Sequence, residues 1–394
     1  MKVKELHVQD RLAIAVTSMQ RCGEKIYLGL TGGANILAEY DTSREELLVH
    51  HDVFPWIGQR GYCSKIHNAL GALPDGSLVL GEGNHFTWDG IPVTVNYFNH
   101  ELPESMLQRK RDQGYPEVCY TDFCLENLQG WQRSRTDRGG RILRYYPEER
   151  RGEVAAWLPE YLYTQSLIVD STRERGFGHT IPDNHFFFVD FKEKSLRDFG
   201  RISDYAHHNM LITPQGLCYG AWLDRADQTL KLFRFNPEDE SFAYLNSLIL
   251  PEIGPKIAGN QGVDEWIVTR SGRIFVGTVA EARLLEFFPA TETFQPVAVL
   301  GQGGRVTSMS EDEAGTVWIT AGYPHMRLFA FEPEDNLIQD YGQVNSTYQR
   351  CYFHCGCCCN GRLYLGETDC FSPSLHIIDL EELRHTQKPV LVRA

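Results

Sequence analysis

The chain has 394 residues, 42% hydrophobic and 23% charged, the balance of a folded protein with a large core and not of a disordered one. A formal charge of −14 and a pI near 5.5 exclude the basic footprint of a nucleic-acid binder and adsorption to an acidic membrane. No window approaches the ~18 uninterrupted apolar residues of a membrane span, and the opening MKVKELHVQDRLAIAV lacks the apolar core and cleavage site of a secretory signal.

As written, the chain therefore reads as cytoplasmic, or as secreted or periplasmic if a leader has been removed. The predicted elements are short strands throughout, and they recur. KIYLGLT and ILAEYD, followed by the acidic turn DTSREE, open the series. KIHNALGALPDG, SLVLGEG and ILRYYP come next, then RGFGHT and HFFFVD. HHNMLITPQG, GLCYGAW, LKLFRFNP and SFAYLNSLIL make a fourth set, and VDEWIVTRSG, RIFVGTV and RLLEFFP a fifth. VTSMSEDEAG, TVWITAG and RLFAFEP precede the last set, CYFHCGCCCN, RLYLGET and SLHIIDL.

Alternating apolar positions punctuated by Asp-Gly, Gln-Gly, Ser-Gly and Asn-Gly turns make these antiparallel hairpins. Four strands per unit at a period of about 40 to 50 residues is the pattern of propeller blades. The expected fold is all-β: one seven-bladed β-propeller domain over residues 1–394. Its second blade carries an insertion at 86–138, rich in aromatics and charge, that reads as a lid.

In such a blade the start of the first strand and the end of the second open on the same face. His67 and His85, on either side of the Asp75-Gly76 turn, are thus expected at one rim. The same rule places Tyr163, Gln165, His179, His207, His208, Asn209, Trp222, Gln261, Asp264, Arg305 and Arg350 there. Glu82, Glu265, Glu367 and Asp369 lie near it without an evident carboxylate pair of the glycosidase kind.

KIHNALGALPDGSLVLGEGNH, GHTIPDNHFFFVD and CYFHCGCCCNGRLYLGETD together resemble the seven-bladed propeller polysaccharide lyases of the ulvan lyase type. They are also similar to the propellers that act on rhamnose-glucuronate bonds as lyases or rhamnosidases. The resemblance implies a lyase acting on an acidic oligo- or polysaccharide, with His67, His85 and Tyr163 as catalytic residues and no required cofactor. It also implies an arginine that neutralises the uronate carboxylate. Where that arginine is expected this chain reads HHNM, with Asn209, and Arg305 or Arg350 would substitute from neighbouring blades. His207, His208, Asn209, Gln261 and Trp88 of the insertion complete the expected substrate-binding set.

β-Elimination from a uronate removes the C5 proton and expels the C4 oxygen. The carboxylate must be neutralised as charge develops, and a base and an acid of near-neutral pKa move the protons; histidine suits either role. A rhamnosidase-like hydrolase, a non-catalytic sugar- or protein-binding propeller and a streptogramin-inactivating lyase are the alternatives. The cysteine run has two readings. His354, Cys355 and Cys357, with Cys359, are candidate ligands of a structural Zn2+, or the thiols pack an inner strand as free cysteines. Ca2+ bound by carboxylates and carbonyls is a further possibility without a loop motif.

Overall fold

The computed structural model describes residues 1–10, 13–32, 36–50, 64–84, 139–160, 162–181, 185–202, 209–224, 229–248, 263–279, 281–301, 304–322, 325–346, 351–368 and 373–392. Strand β1 (Lys4–His7) precedes the first blade, made of β2 (Ala13–Cys22), β3 (Lys25–Gly32), β4 (Leu37–Asp41) and β5 (Glu46–Val49). After β6 (Ser64–Lys65) the second blade comprises β7 (Leu70–Ala72), β8 (Leu78–Gly81), β10 (Arg141–Tyr146) and β11 (Arg151–Trp157), with the short β9 (Gly83–Asn84) between β8 and β10. The third is β12 (Tyr163–Asp170), β13 (Arg175–Ile181), β14 (His185–Asp190) and β15 (Ser195–Arg201).

The fourth is β16 (Leu211–Ile212), β17 (Cys218–Asp224), β18 (Thr229–Asn236) and β19 (Ser241–Leu248). The fifth is β20 (Val263–Val268), β21 (Ile274–Thr278), β22 (Arg283–Phe288) and β23 (Thr293–Val299). The sixth is β24 (Arg305–Glu311), β25 (Val317–Gly322), β26 (Arg327–Glu332) and β27 (Leu337–Gln343). Finally come β28 (Tyr352–Cys359), β29 (Arg362–Thr368) and β30 (Ser374–Asp379), the helix α1 (Leu380–Thr386) and β31 (Val390–Val392).

These sheets are the seven four-stranded antiparallel blades of a β-propeller, as the repeat predicts. Three of them depart from the plain repeat. β6 and β9 extend the first sheet beyond β3, β31 adds a fifth strand to the sixth, and the seventh takes β1 beside β30 as its fourth strand. The punctuation residues do what their chemistry allows. Gly76, Gly216, Gly272 and Gly315 all take positive φ in the turns joining the first two strands of their blades, a region that costs only glycine nothing. Asp41 and Asp190, which end third strands, each accept two backbone N–H bonds from the turn that follows, the reason acidic residues recur there.

The glycine repeated in the second strands has a packing cause. A Cβ on Gly29 would meet Ile66 at 2.8 Å, one on Gly81 would meet Thr164 at 2.6 Å, and one on Gly277 would meet Val306 at 2.3 Å. In each case the intruded residue leads into or lies on the first strand of the following blade, so the glycine is where successive sheets approach closely.

Contacts divide the chain into two compact units, Glu5–Phe199 with Gly366–Leu375, and Gly200–Leu365 with Met1–Lys4 and His376–Ala394. The core of the first is a buried cluster that includes Ile66, Leu80, Ile142, Tyr145, Leu167 and Phe187. Among the described residues the second holds buried clusters around Leu232, Val276 and Phe287, around Trp318, Phe353 and Leu365, and around Phe275, Ile319 and Phe331. Among the described residues no helix is long and apolar enough to cross a membrane.

Candidate functional site

One irregularity recurs in the first strands and shapes both groups of polar residues. The register of β2 skips Thr17, that of β12 skips Gln165, that of β20 skips Asp264 and that of β24 skips Thr307. Each is a β-bulge, which takes one residue off the ladder and re-aims it.

In the Glu5–Phe199 unit the bulge at Gln165 holds His67. Gln165 is skipped in the register between β12 and β13, and its carbonyl accepts a hydrogen bond from Nδ1 of His67 at 3.1 Å. A carbonyl only accepts, so Nδ1 carries the proton and Nε2 is the basic nitrogen of the neutral imidazole. Both residues are buried. Tyr163 stands two residues earlier on β12, buried, with its ring against Gly140. Next to it Arg141 grips Glu82, Nε to Oε2 at 2.7 Å and Nη2 to Oε1, and neither side chain is exposed. The Glu82 carbonyl in turn accepts the Thr164 N–H at 2.9 Å, tying the second blade to the start of β12.

In the Gly200–Leu365 unit one of the bulged residues is Asp264. Arg305 binds it through Nε and Nη2, the former at 2.6 Å, and lies 5.7 Å from the centre of the Tyr352 ring. The guanidinium expected to neutralise a uronate is thus already matched by a buried carboxylate. The next residue, Glu265, accepts two bonds on one oxygen, Oε1: from Asn209 Nδ2 at 2.9 Å and from the Trp266 N–H at 3.0 Å. Asn209 is oriented by the Met210 N–H, which donates to its Oδ1 at 2.9 Å. Burial, the largest influence, and the neighbouring Asp264 push the Glu265 carboxyl up to about 8, against the two donors that favour its charge. By surface exposure Glu265 is half-buried, but the atoms packed round the carboxyl strip its hydration, and that packing sets the shift.

His85, Trp88, His207, His208, Gln261 and Arg350 lie outside the described residues, as does the insertion 86–138. The backbone register does place Asn84, the residue before His85, opposite Ser64. Glu265 is the group that sequence reasoning left without a role. The signal is in the aligned repeats: Val16-Thr17-Ser18, Thr164-Gln165-Ser166 and Val306-Thr307-Ser308 all follow the bulge with serine, whereas Val263-Asp264-Glu265 follows it with a carboxyl.

Cys351, Cys355, Cys358 and Cys359 are buried free thiols and Cys357 is a half-buried one. His354 shares a strand face with Tyr352, their rings 6.5 Å apart, while strand alternation turns Cys355 and Cys357 to the other face. The three expected ligands do not converge and do not fit a tetrahedral Zn2+ centre.

No family model matches the chain, and no curated protein matches it. Solved structures do. Virginiamycin B lyase from Staphylococcus aureus is similar over 95% of this chain and 98% of its own, with a TM-score of 0.60 at 8% identity. A streptogramin B lyase is similar over 95% and 97%, with a TM-score of 0.59 at 9% identity. An oligogalacturonate lyase, solved in complex with manganese, is similar over 98% of both chains, with a TM-score of 0.53 at 9% identity. At this identity the likeness is one of fold.

Proposed function

We propose that this chain is a carbon-oxygen lyase that cleaves an acidic, uronic-acid-containing oligo- or polysaccharide by β-elimination. The observation that carries the reading is the His67 imidazole, whose tautomer is set by the Gln165 carbonyl so that Nε2 is the basic atom. Abstraction of a C5 proton needs a base of this kind, held in one orientation before the substrate arrives. Tyr163, two residues from that carbonyl on the same strand, is the acid that returns a proton to the C4 oxygen, and His85 is the further histidine of the set. Three propellers of similar fold named as lyases, one of them an oligogalacturonate lyase, support the class of reaction.

The test is incubation with ulvan, glucuronan and rhamnose-capped glucuronides while following the ultraviolet absorbance of the C4–C5 double bond. The expected result is a rising signal that His67→Gln and Tyr163→Phe each remove. Saturated products would instead make the chain a rhamnosidase-like hydrolase. No product from any uronate glycan would overturn the carbohydrate reading.

A further inference from the structure

The bulges give a positional standard against which one residue departs. After Thr17, Gln165 and Thr307 the chain places Ser18, Ser166 and Ser308, all buried. Ser18 donates to the Ile66 carbonyl at 2.6 Å and Ser308 pairs with Thr320 at 2.8 Å. A small buried hydroxyl occupies that place in all three. Blade five carries Glu265 instead, half-buried and outside any ion pair found among the described residues.

Its surroundings specify one state of that carboxyl. Both donors that reach it, Asn209 Nδ2 and the Trp266 N–H, converge on Oε1. Arg305 on the neighbouring β24 is held by both oxygens of Asp264. Among the described residues, the charged group that acts on Glu265 is Asp264 itself, of its own sign. β21, paired with β20 on one side, contributes Ile274–Thr278 and no titratable side chain; β24 contributes Arg305, and the segment before β16 contributes Asn209. Burial and Asp264 outweigh the two donors and raise the carboxyl to about 8, so in the neutral range the protonated form predominates, with Oε2 the oxygen that accepts neither donor.

We propose that Glu265, oriented by Asn209, is a carboxylate-recognition site in which Oε2–H donates to an oxygen of a sugar acid's carboxylate. A neutral carboxyl can share its proton with an incoming carboxylate, whereas a charged one would repel it. The site supplies to an acidic ligand what Arg305, engaged by Asp264, does not. The choice of sugar acid rests on the lyase reading, but the binding site does not need that reaction to exist.

The test is ligand-observed NMR titration of the full chain with D-glucuronate, with D-glucose as the neutral control. Binding through a protonated group that titrates near 8 scales with the protonated fraction, so affinity should fall roughly tenfold between about pH 7 and about pH 9. Glu265→Gln supplies an N–H donor that does not titrate and should bind equally at both pH values. Glu265→Ala should weaken binding at the lower pH. Equal affinity of the parent at both pH values, an unchanged pH dependence in Glu265→Gln, or equal binding of glucose would overturn the proposal. Because Glu265→Gln is nearly isosteric, it stays informative if Glu265→Ala fails to fold. Binding with this pH signature but no unsaturated product would sink the lyase reading and leave the site standing.

Discussion

Glu82 and Arg141, 59 residues apart in the chain, form a bidentate ion pair from which solvent is wholly excluded. They stand in the chain on either side of the insertion 86–138, and the Glu82 carbonyl ties the pair to β12. A buried charge is tolerated only while its partner is present.

Removing one partner of this pair should therefore be far worse than removing both. Glu82→Gln or Arg141→Met is expected to lower unfolding free energy by about 3 to 5 kcal/mol, whereas the double variant Glu82→Leu/Arg141→Met should recover much of the loss. Urea melts of the three variants measure this directly, and equal losses in all of them would show that the clamp carries no coupled charge.

The orientation of His67 depends on a main-chain carbonyl and not on the glutamine side chain. Gln165→Ala should accordingly leave turnover within about a factor of two. His67→Gln, which removes the proposed base, should cost on the order of 10²-fold or more in kcat. A large loss in Gln165→Ala would mean that the side chain, not the bulge, does the positioning.

Glu39 links stability to pH. Burial alone would raise its carboxyl, but the hydrogen bonds and charges of His50 and Lys25 outweigh it and hold the group below its ordinary value of 4.5. His50 Nε2 lies 3.1 Å from Glu39 and its Nδ1 2.9 Å from the Tyr145 hydroxyl, so the carboxylate closes a buried chain. A folded-state value below the unfolded one contributes stability that is complete above the unfolded value and lost as pH falls through the folded one. The urea midpoint should drop more steeply for the parent than for Glu39→Gln between about pH 5 and about pH 2. Parallel acid limbs in the two proteins would remove Glu39 from the account.

Gly277 pairs with Glu265 across β20 and β21 and sits under Val306. Gly277→Ala forces a methyl within 2.3 Å of the valine side chain and should destabilise by about 1 to 3 kcal/mol, the usual cost of overfilling a packed interior. Val306→Ala in the same chain should relieve part of that cost, and thermal melts of the single and double variants would detect the coupling.

Strand alternation, the turn glycines and the repeat period belong to neighbouring residues, and the sequence by itself determined seven blades and nearly every strand from them. It also determined that His67 precedes a first strand and that a glycine recurs in the second strands. Only the tertiary structure decided which of those positions meet. The bulge at Gln165 depends on cross-strand register, and His67, which its carbonyl binds, is 98 residues away. That Arg305 is matched by Asp264, and that Glu265 is not, follows from the packing of β20 against β24. Spacing along a chain carries the period of a strand, but a charge finds its partner through space, and burial then decides which protonation state survives.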